Sequence, residues 1–215
     1  ILHVGLPSIA STVIGPLTTA FITNQVAQFG QEAVAGYGVA SRIESLASLV
    51  LMALSVAITP FVGQNFGAGR TDRVDAGVRW AQRFCLVYGA IVAVLLALSG
   101  PVIAAAFTDS AVAIHAASLH MRIVPVSYLA LGLAMTATSS FNAVGKPMLG
   151  MFISMTRTIL IYAPLAFLLA RSFGLIGVFA AASAANIVAG AFGFEILRRV
   201  IAGLRSVESR VGLHQ

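Results

Sequence analysis

The sequence predicts an all-α polytopic membrane protein built as a six-transmembrane-helix bundle, and three observations carry that prediction. Of 215 residues, 59% are hydrophobic and only 9% are charged, whereas a soluble domain carries about a quarter charged residues. The mean hydropathy is +0.95. The apolar residues fall in long charge-free blocks without the period-two alternation of a barrel strand. A helix needs about 20 apolar residues to cross a bilayer, so a chain of this length holds about six with short connections. Thirteen Lys+Arg against seven Asp+Glu leave a net charge of +6. These cations are scattered between apolar blocks, not gathered into the basic face that binding nucleic acid requires.

The charge-free runs mark the spans in order: residues 4–31, 45–69, 84–108, 123–145, 147–170 (interrupted by Arg157) and 172–194. Polar hinges are expected at 30–44, 70–83, 109–122, 145–147 and 171–175. Residues 1–200 form one transmembrane lobe and 201–215 a basic tail. The opening residues have no basic segment of the signal-peptide type. The chain starts at the edge of a span, as a piece of a longer protein would.

Loop charges orient the bundle. The side holding the N terminus carries nine cations: Arg70, Arg73, Arg79, Arg83, Lys146, Arg198, Arg199, Arg205 and Arg210. The other side has three, Arg42, Arg122 and Arg171. Both ends are therefore expected in the cytoplasm, the membrane being a bacterial inner membrane.

Two connections read as more than turns. Val74, Val78, Ala81 and Cys85 recur at helical spacing with an Asp75–Arg79 pair, predicting a basic amphipathic helix along the inner surface. Residues 109–122 read as a short outer-surface helix with two solvated histidines; His115 and His120 stand five apart and do not share a face as metal ligands four apart would. In the last span Gly177, Ala181, Ala185, Ala189 and Gly193 recur every four residues, a smooth stripe for close helix packing in lipid.

Catalytic chemistry is not legible. The spans hold no Asp, His or Lys, with Glu44 at the mouth of one. The glycines of residues 63–69 lack the Lys-Ser/Thr of a phosphate loop and read as a helix stop and tight corner. Neither a cofactor motif nor a metal-ligand set is present, and an enzyme is not expected.

The spans do carry uncharged polar stripes. Ser8, Thr12, Gly15, Thr19 and Thr23 share one face of the first helix, with Asn24 near its outer end. Tyr128, Gly132, Met135, Ser139 and Asn142 share a face of the fourth. An aromatic–Met–hydroxyl surface repacks around varied amphipathic ligands, while interhelical hydrogen bonding explains the same residues in bland terms. Arg157 either faces a wet cavity or snorkels to the surface below a shorter span at 158–174, and the snorkel is favoured. Glu44 and Arg42 are read as boundary charges.

The segment from Arg42 to Leu46, then Pro60-Phe61-Val62-Gly63-Gln64-Asn65 with Gly67-Ala68-Gly69-Arg70, and later the segment from Phe141 to Pro147, resemble the multidrug and toxic compound extrusion (MATE) transporters. The resemblance spans nearly the whole chain. It implies the C-terminal lobe of a twelve-helix, two-lobe transporter, the N-terminal lobe of the same chain being its partner. It implies cation-coupled antiport of organic cations and other xenobiotics by alternating access. Thr12, Thr19, Thr23, Asn24, Tyr128, Met135, Ser139 and Asn142 then become candidates to line the cavity between lobes, with Arg157 and Glu44 as charge sites. The sodium-coupled branch has carboxylates in its seventh and tenth helices where this chain has Gly15 and Gly132. H+ is therefore expected as coupling ion rather than Na+, with the coupling acid in the other lobe. The alternatives are a lipid-linked oligosaccharide or polyprenyl-lipid flippase of the same superfamily, or a non-transporting membrane scaffold. A flippase calls for several cations in its lumen, and this half offers Arg157.

Overall fold

The computed structural model describes the backbone of residues 2–212 and the side chains of residue 13 and of residues 16–204. Seven α-helices follow in order: α1 Leu2–Ala27, α2 Gln31–Gly67, α3 Thr71–Ala105, α4 Ala111–Ile123, α5 Tyr128–Ala143, α6 Pro147–Met155 and α7 Ala163–Gly212. A 3₁₀ turn, Val124–Ser127, joins α4 to α5, and a π-helical turn, Thr156–Tyr162, joins α6 to α7. Inside α7 the backbone leaves helical geometry at Gly174 (φ 60°, ψ −139°). There the chain folds back, and Tyr162 of the π turn and Ala166 of the first arm pack with Ala181 and Ala185 of the second. The elements make six crossings: α1, α2, α3, α4 with α5, α6 with the first arm of α7, and the second arm of α7.

The lipid-facing surface is apolar by composition. Leu46, Met52 and Val56 on α2, and Leu98 and Val102 on α3, are exposed, and four stretches, from Gln31–Gly67 to Pro147–Leu204, are long and apolar enough to cross a membrane. Inside, one apolar tier gathers Tyr37, Leu51, Met121, Tyr128 and Phe179. A second gathers Val62, Val74, Val78, Phe141, Ile153 and Leu197.

Both α2 and α5 stop at a glycine, as read from residues 63–69. Arg70 N–H reaches back to the Asn65 carbonyl at 2.9 Å, and Lys146 N–H to the Phe141 carbonyl at 2.8 Å. Each six-residue closure puts Gly69 or Gly145 at φ near +70° (67° and 73°), where a Cβ would clash. The stripe in the last crossing is buried along its length, Gly177 and Ala181 through Gly193.

Three expected connections are corrected. Residues 30–44 are not a hinge: α2 begins at Gln31 and runs 37 residues, about 55 Å. Charge-free runs locate hydrophobic thickness, whereas a helix ends only where its backbone bonding ends, so Arg42 and Glu44 lie inside it. Residues 71–83 are not a separate surface helix. Val74, Val78, Ala81 and Cys85 continue through Gly89, Val92 and Leu96 as one buried seam of α3, so that apolar stripe faces protein and not headgroups; the Asp75–Arg79 pair is present on the same helix. Residues 109–122 are not a solvated outer helix. Ser110 caps α4 by accepting from Ala113 N–H at 3.3 Å, and Ala113, Ala116, Ala117, His120 and Met121 are buried. Only His115 keeps the expected exposure.

Helices α2 and α4 run side by side in the same direction. Ser110 donates to Glu32 at 3.0 Å near their starts. One turn on, α4 touches bare backbone: a Cβ placed on Gly36 would stand 2.2 Å from the Ala113 carbonyl oxygen. Two turns further, Glu44 meets His120. That contact carries the protein's charged interior.

A polar, charge-bearing cavity between the crossings

Glu44 sits 13 residues into α2, about 20 Å along it, and His120 nine residues into α4, about 14 Å along. Parallel packing from a common end therefore brings them to similar depth, with Glu44 Oε2 3.3 Å from His120 Nε2. The His120 side chain is 3% exposed and that of Glu44 27%, so the ring is enclosed and the carboxylate opens to a cavity. Phe179 meets the imidazole edge-on at 4.9 Å and Tyr37 lies 5.5 Å away.

That cavity has a volume of about 460 Å³. Its walls come from α1 (Thr18, Thr19), α2 (Tyr37, Ser41, Glu44), α4 (His120), the π turn (Arg157, Thr158, Tyr162) and α7 (Phe179, Asn186). Thr18 and Thr158 hydroxyls bond across it at 3.2 Å. A second cavity of about 300 Å³ is lined by Ser55, Met135, Thr138, Ser139, Asn142, Ser154 and again Arg157. Its Leu131 and Met135 pack on the first apolar tier while Ala134 and Ile153 belong to the second.

Arg157 stands in the wall of both cavities and does not snorkel, which corrects the favoured expectation. Its Nη1 donates to Asn186 Oδ1 at 3.2 Å. Asn186 Nδ2 donates to Ser127 Oγ at 2.9 Å, and Ser127 donates to the Val124 carbonyl at 2.7 Å. Ser183 donates to the Ile123 carbonyl at 2.9 Å. This network ties the guanidinium to the 3₁₀ turn. The π turn, a distortion common at functional sites, places Arg157 in that wall. A charge at this depth costs at least about 3 kcal/mol on insertion scales, and the Asn186 amide together with the polar cavity walls offsets it.

The candidate lining residues divide. Thr19 and Glu44 reach the larger cavity and Met135, Ser139 and Asn142 the smaller. Thr23 turns back to donate to the Thr19 carbonyl at 2.9 Å, and Asn24 is exposed beyond the walls. The Thr12 side chain lies outside the described residues. Tyr128, grouped with Met135 by spacing, is not in either wall: it is 0% exposed in the first apolar tier. Gly132 points the same way, with Cys85 Cβ 2.7 Å from where its own would be. The stripe of α5 that meets the cavity is thus turned part of a rotation toward Leu131, Ala134 and Thr138. Asn186, Tyr37 and Tyr162 are not among the sequence candidates, and His120 is expected there only as a solvated side chain. Asn186 has a visible signal, a lone amide within the Ala/Gly-rich last crossing.

A lobe of lipid-facing helices whose polar interior carries ionisable groups at mid-depth is the build of an integral membrane transporter. The chain belongs to the MatE family, whose profile matches residues 7–168; its members are transporters, not enzymes. It is similar to the FAD transporter of Shewanella oneidensis, 29% identical over 92% of this chain and 44% of that protein. It is similar to the probable multidrug resistance protein NorM of Thermotoga maritima, 27% identical over 82% of this chain and 39% of that one. The bent-form crystal structure of the Vibrio cholerae MATE transporter VcmN superposes with a TM-score of 0.89 at 30% identity, over 94% of this chain and 46% of that one. The chain thus spans less than half the length of these relatives.

Proposed function

We propose that this chain is the C-terminal lobe of a cation-coupled exporter. It expels organic cations and other xenobiotics across a bacterial inner membrane by alternating access, with an N-terminal lobe of the same chain closing the substrate cavity. H+ is the coupling ion of this reading and Na+ its alternative; both ends of the segment face the cytoplasm. The observation that carries the reading is the pair of polar cavities meeting at Arg157, with Thr19, Met135, Ser139, Asn142 and Glu44 in their walls. Hydroxyls, an amide and a pliable thioether suit amphipathic ligands of varied shape. Asn142→Ala in the full-length transporter is expected to change which cationic dyes are exported from cells, at unchanged expression. An unaltered export profile counts against the lining assignment.

One observation favours a second substrate. A relative similar over 92% of this chain is named an FAD transporter, and Arg157 supplies a guanidinium of the kind that pairs with a pyrophosphate. Flavin secretion by cells expressing the full-length transporter, compared with Arg157→Gln, separates the two: loss of secretion in the variant supports the dinucleotide, and no secretion in the parent removes it.

A further inference from the structure

The substrate-lining reading leaves the Glu44–His120 contact unused. The two side chains come from different crossings, meet at 3.3 Å, and lie among aromatic rings. Among the described residues, the Nδ1 of His120 is buried without a hydrogen-bond partner. The ionisable groups facing this place are Glu44 and Tyr37 from α2, His120 from α4, and Arg157 and Tyr162 from the π turn. From α1 and the last crossing come Thr18, Thr19, Phe179 and Asn186, none of which changes charge. An ionisable residue at this depth in a membrane protein faces a cavity or a partner and marks an ion or proton path, and histidine is the side chain whose charge changes between about pH 5 and 8.

We propose that Glu44 and His120 together form a proton-binding site in this lobe, which exchanges its proton against the positive charge of a substrate entering the same cavity. This rests on the exporter reading above. With Glu44 ionised, His120 neutral and Arg157 charged, the three groups sum to zero. A proton taken from water onto the pair raises the sum by one unit. A monocationic substrate that replaces this proton leaves the sum at the same value, and the proton returns to water. Arg157 sets this balance: without its fixed charge the cavity would hold proton and cation together. Each occupant excludes the other, which is the condition for antiport.

Two measurements on the full-length transporter test this. Infrared difference spectra without substrate, taken between about pH 5 and 8, are expected to contain an imidazole-to-imidazolium ring band that vanishes in His120→Gln and moves in Glu44→Gln. A spectrum lacking that band, or a band indifferent to both substitutions, overturns the site. Binding of tetraphenylphosphonium, a cation with no proton of its own, is expected to weaken by about tenfold per pH unit on acidification of the parent. That slope should be lost in Glu44→Gln, and the same slope persisting there overturns the exchange. If Glu44→Gln does not fold, His120→Gln keeps the carboxylate and must lose the band and shift the slope. A parent that binds no tetraphenylphosphonium refutes cation export, while the infrared titration still decides the proton site.

Discussion

Alanine at Gly36 is the sharpest test of how the charged interior is assembled. The added Cβ would lie 2.2 Å from the Ala113 carbonyl oxygen and 3.0 Å from its carbonyl carbon and Cα. These are backbone atoms of a neighbouring helix, so no side-chain rotation relieves the contact. An ordinary contact of 3.4 Å requires α4 to retreat from α2 by about 1 Å. His120 rides the same face of α4 two turns on, and a retreat of that size carries it from 3.3 Å to beyond hydrogen-bond reach of Glu44. Overpacking of this kind costs about 1–3 kcal/mol. At about 2–4 °C per kcal/mol for a domain of this size, the unfolding midpoint should fall by several degrees. Gly38, on the same helix, is the internal control: nothing lies within 4 Å of its added Cβ. Alanine there should hold or raise the midpoint, because glycine within a helix costs about 0.5–1 kcal/mol relative to alanine. The assay is a thermal melt of detergent-solubilised, full-length transporter by tryptophan fluorescence or thiol-reactive dye. Equal midpoints for Gly36→Ala and Gly38→Ala would refute the reasoning, because only a tight α2–α4 contact separates them.

Two further outcomes follow from burial. Ala181→Leu crowds the small-residue stripe at a side chain that is 0% exposed, and should lower folded yield through an overpacking cost of about 1–3 kcal/mol; normal yield on size-exclusion chromatography would contradict the packing role. Tyr128→Phe removes a buried hydroxyl with no partner among the described residues and should leave both the melt and the dye-export profile unchanged, whereas Tyr128→Ala should cost about 3–5 kcal/mol in the same melt. A changed dye profile in the phenylalanine variant would return Tyr128 to the cavity wall.

The class of protein was legible residue by residue. Lipid cannot hydrogen-bond a backbone, so a chain with this hydropathy must fold as spanning helices, and the charge-free runs counted them correctly. The Gly69 and Gly145 stops and the buried stripe from Gly177 to Gly193 were legible too, because each depends only on backbone geometry or side-chain size at helical spacing. Arg42 and Glu44 show where this kind of reading ends. A charge interrupts a hydropathy run but not a helix, so α2 begins 14 residues before the charge-free run that marks it. Tyr128 shows a second limit: spacing says which residues share a face of α5 but not which way that face is turned, and only packing against Cys85 and Leu51 turned it inward.

By itself, then, the sequence determined that the chain is helical, that it crosses a membrane six times, where two of its turns fall and which family its motifs resemble. These depend on local composition and on solvent. The tertiary structure alone decided that His120 is buried, that it meets Glu44, and that Arg157 lies between two cavities bound to Asn186 and not at the surface. Those residues are 76 and 29 positions apart along the chain. Their meeting depends on α2 and α4 packing in parallel through Gly36 and on α7 folding back at Gly174, and neither event leaves a periodic mark on the segments it joins.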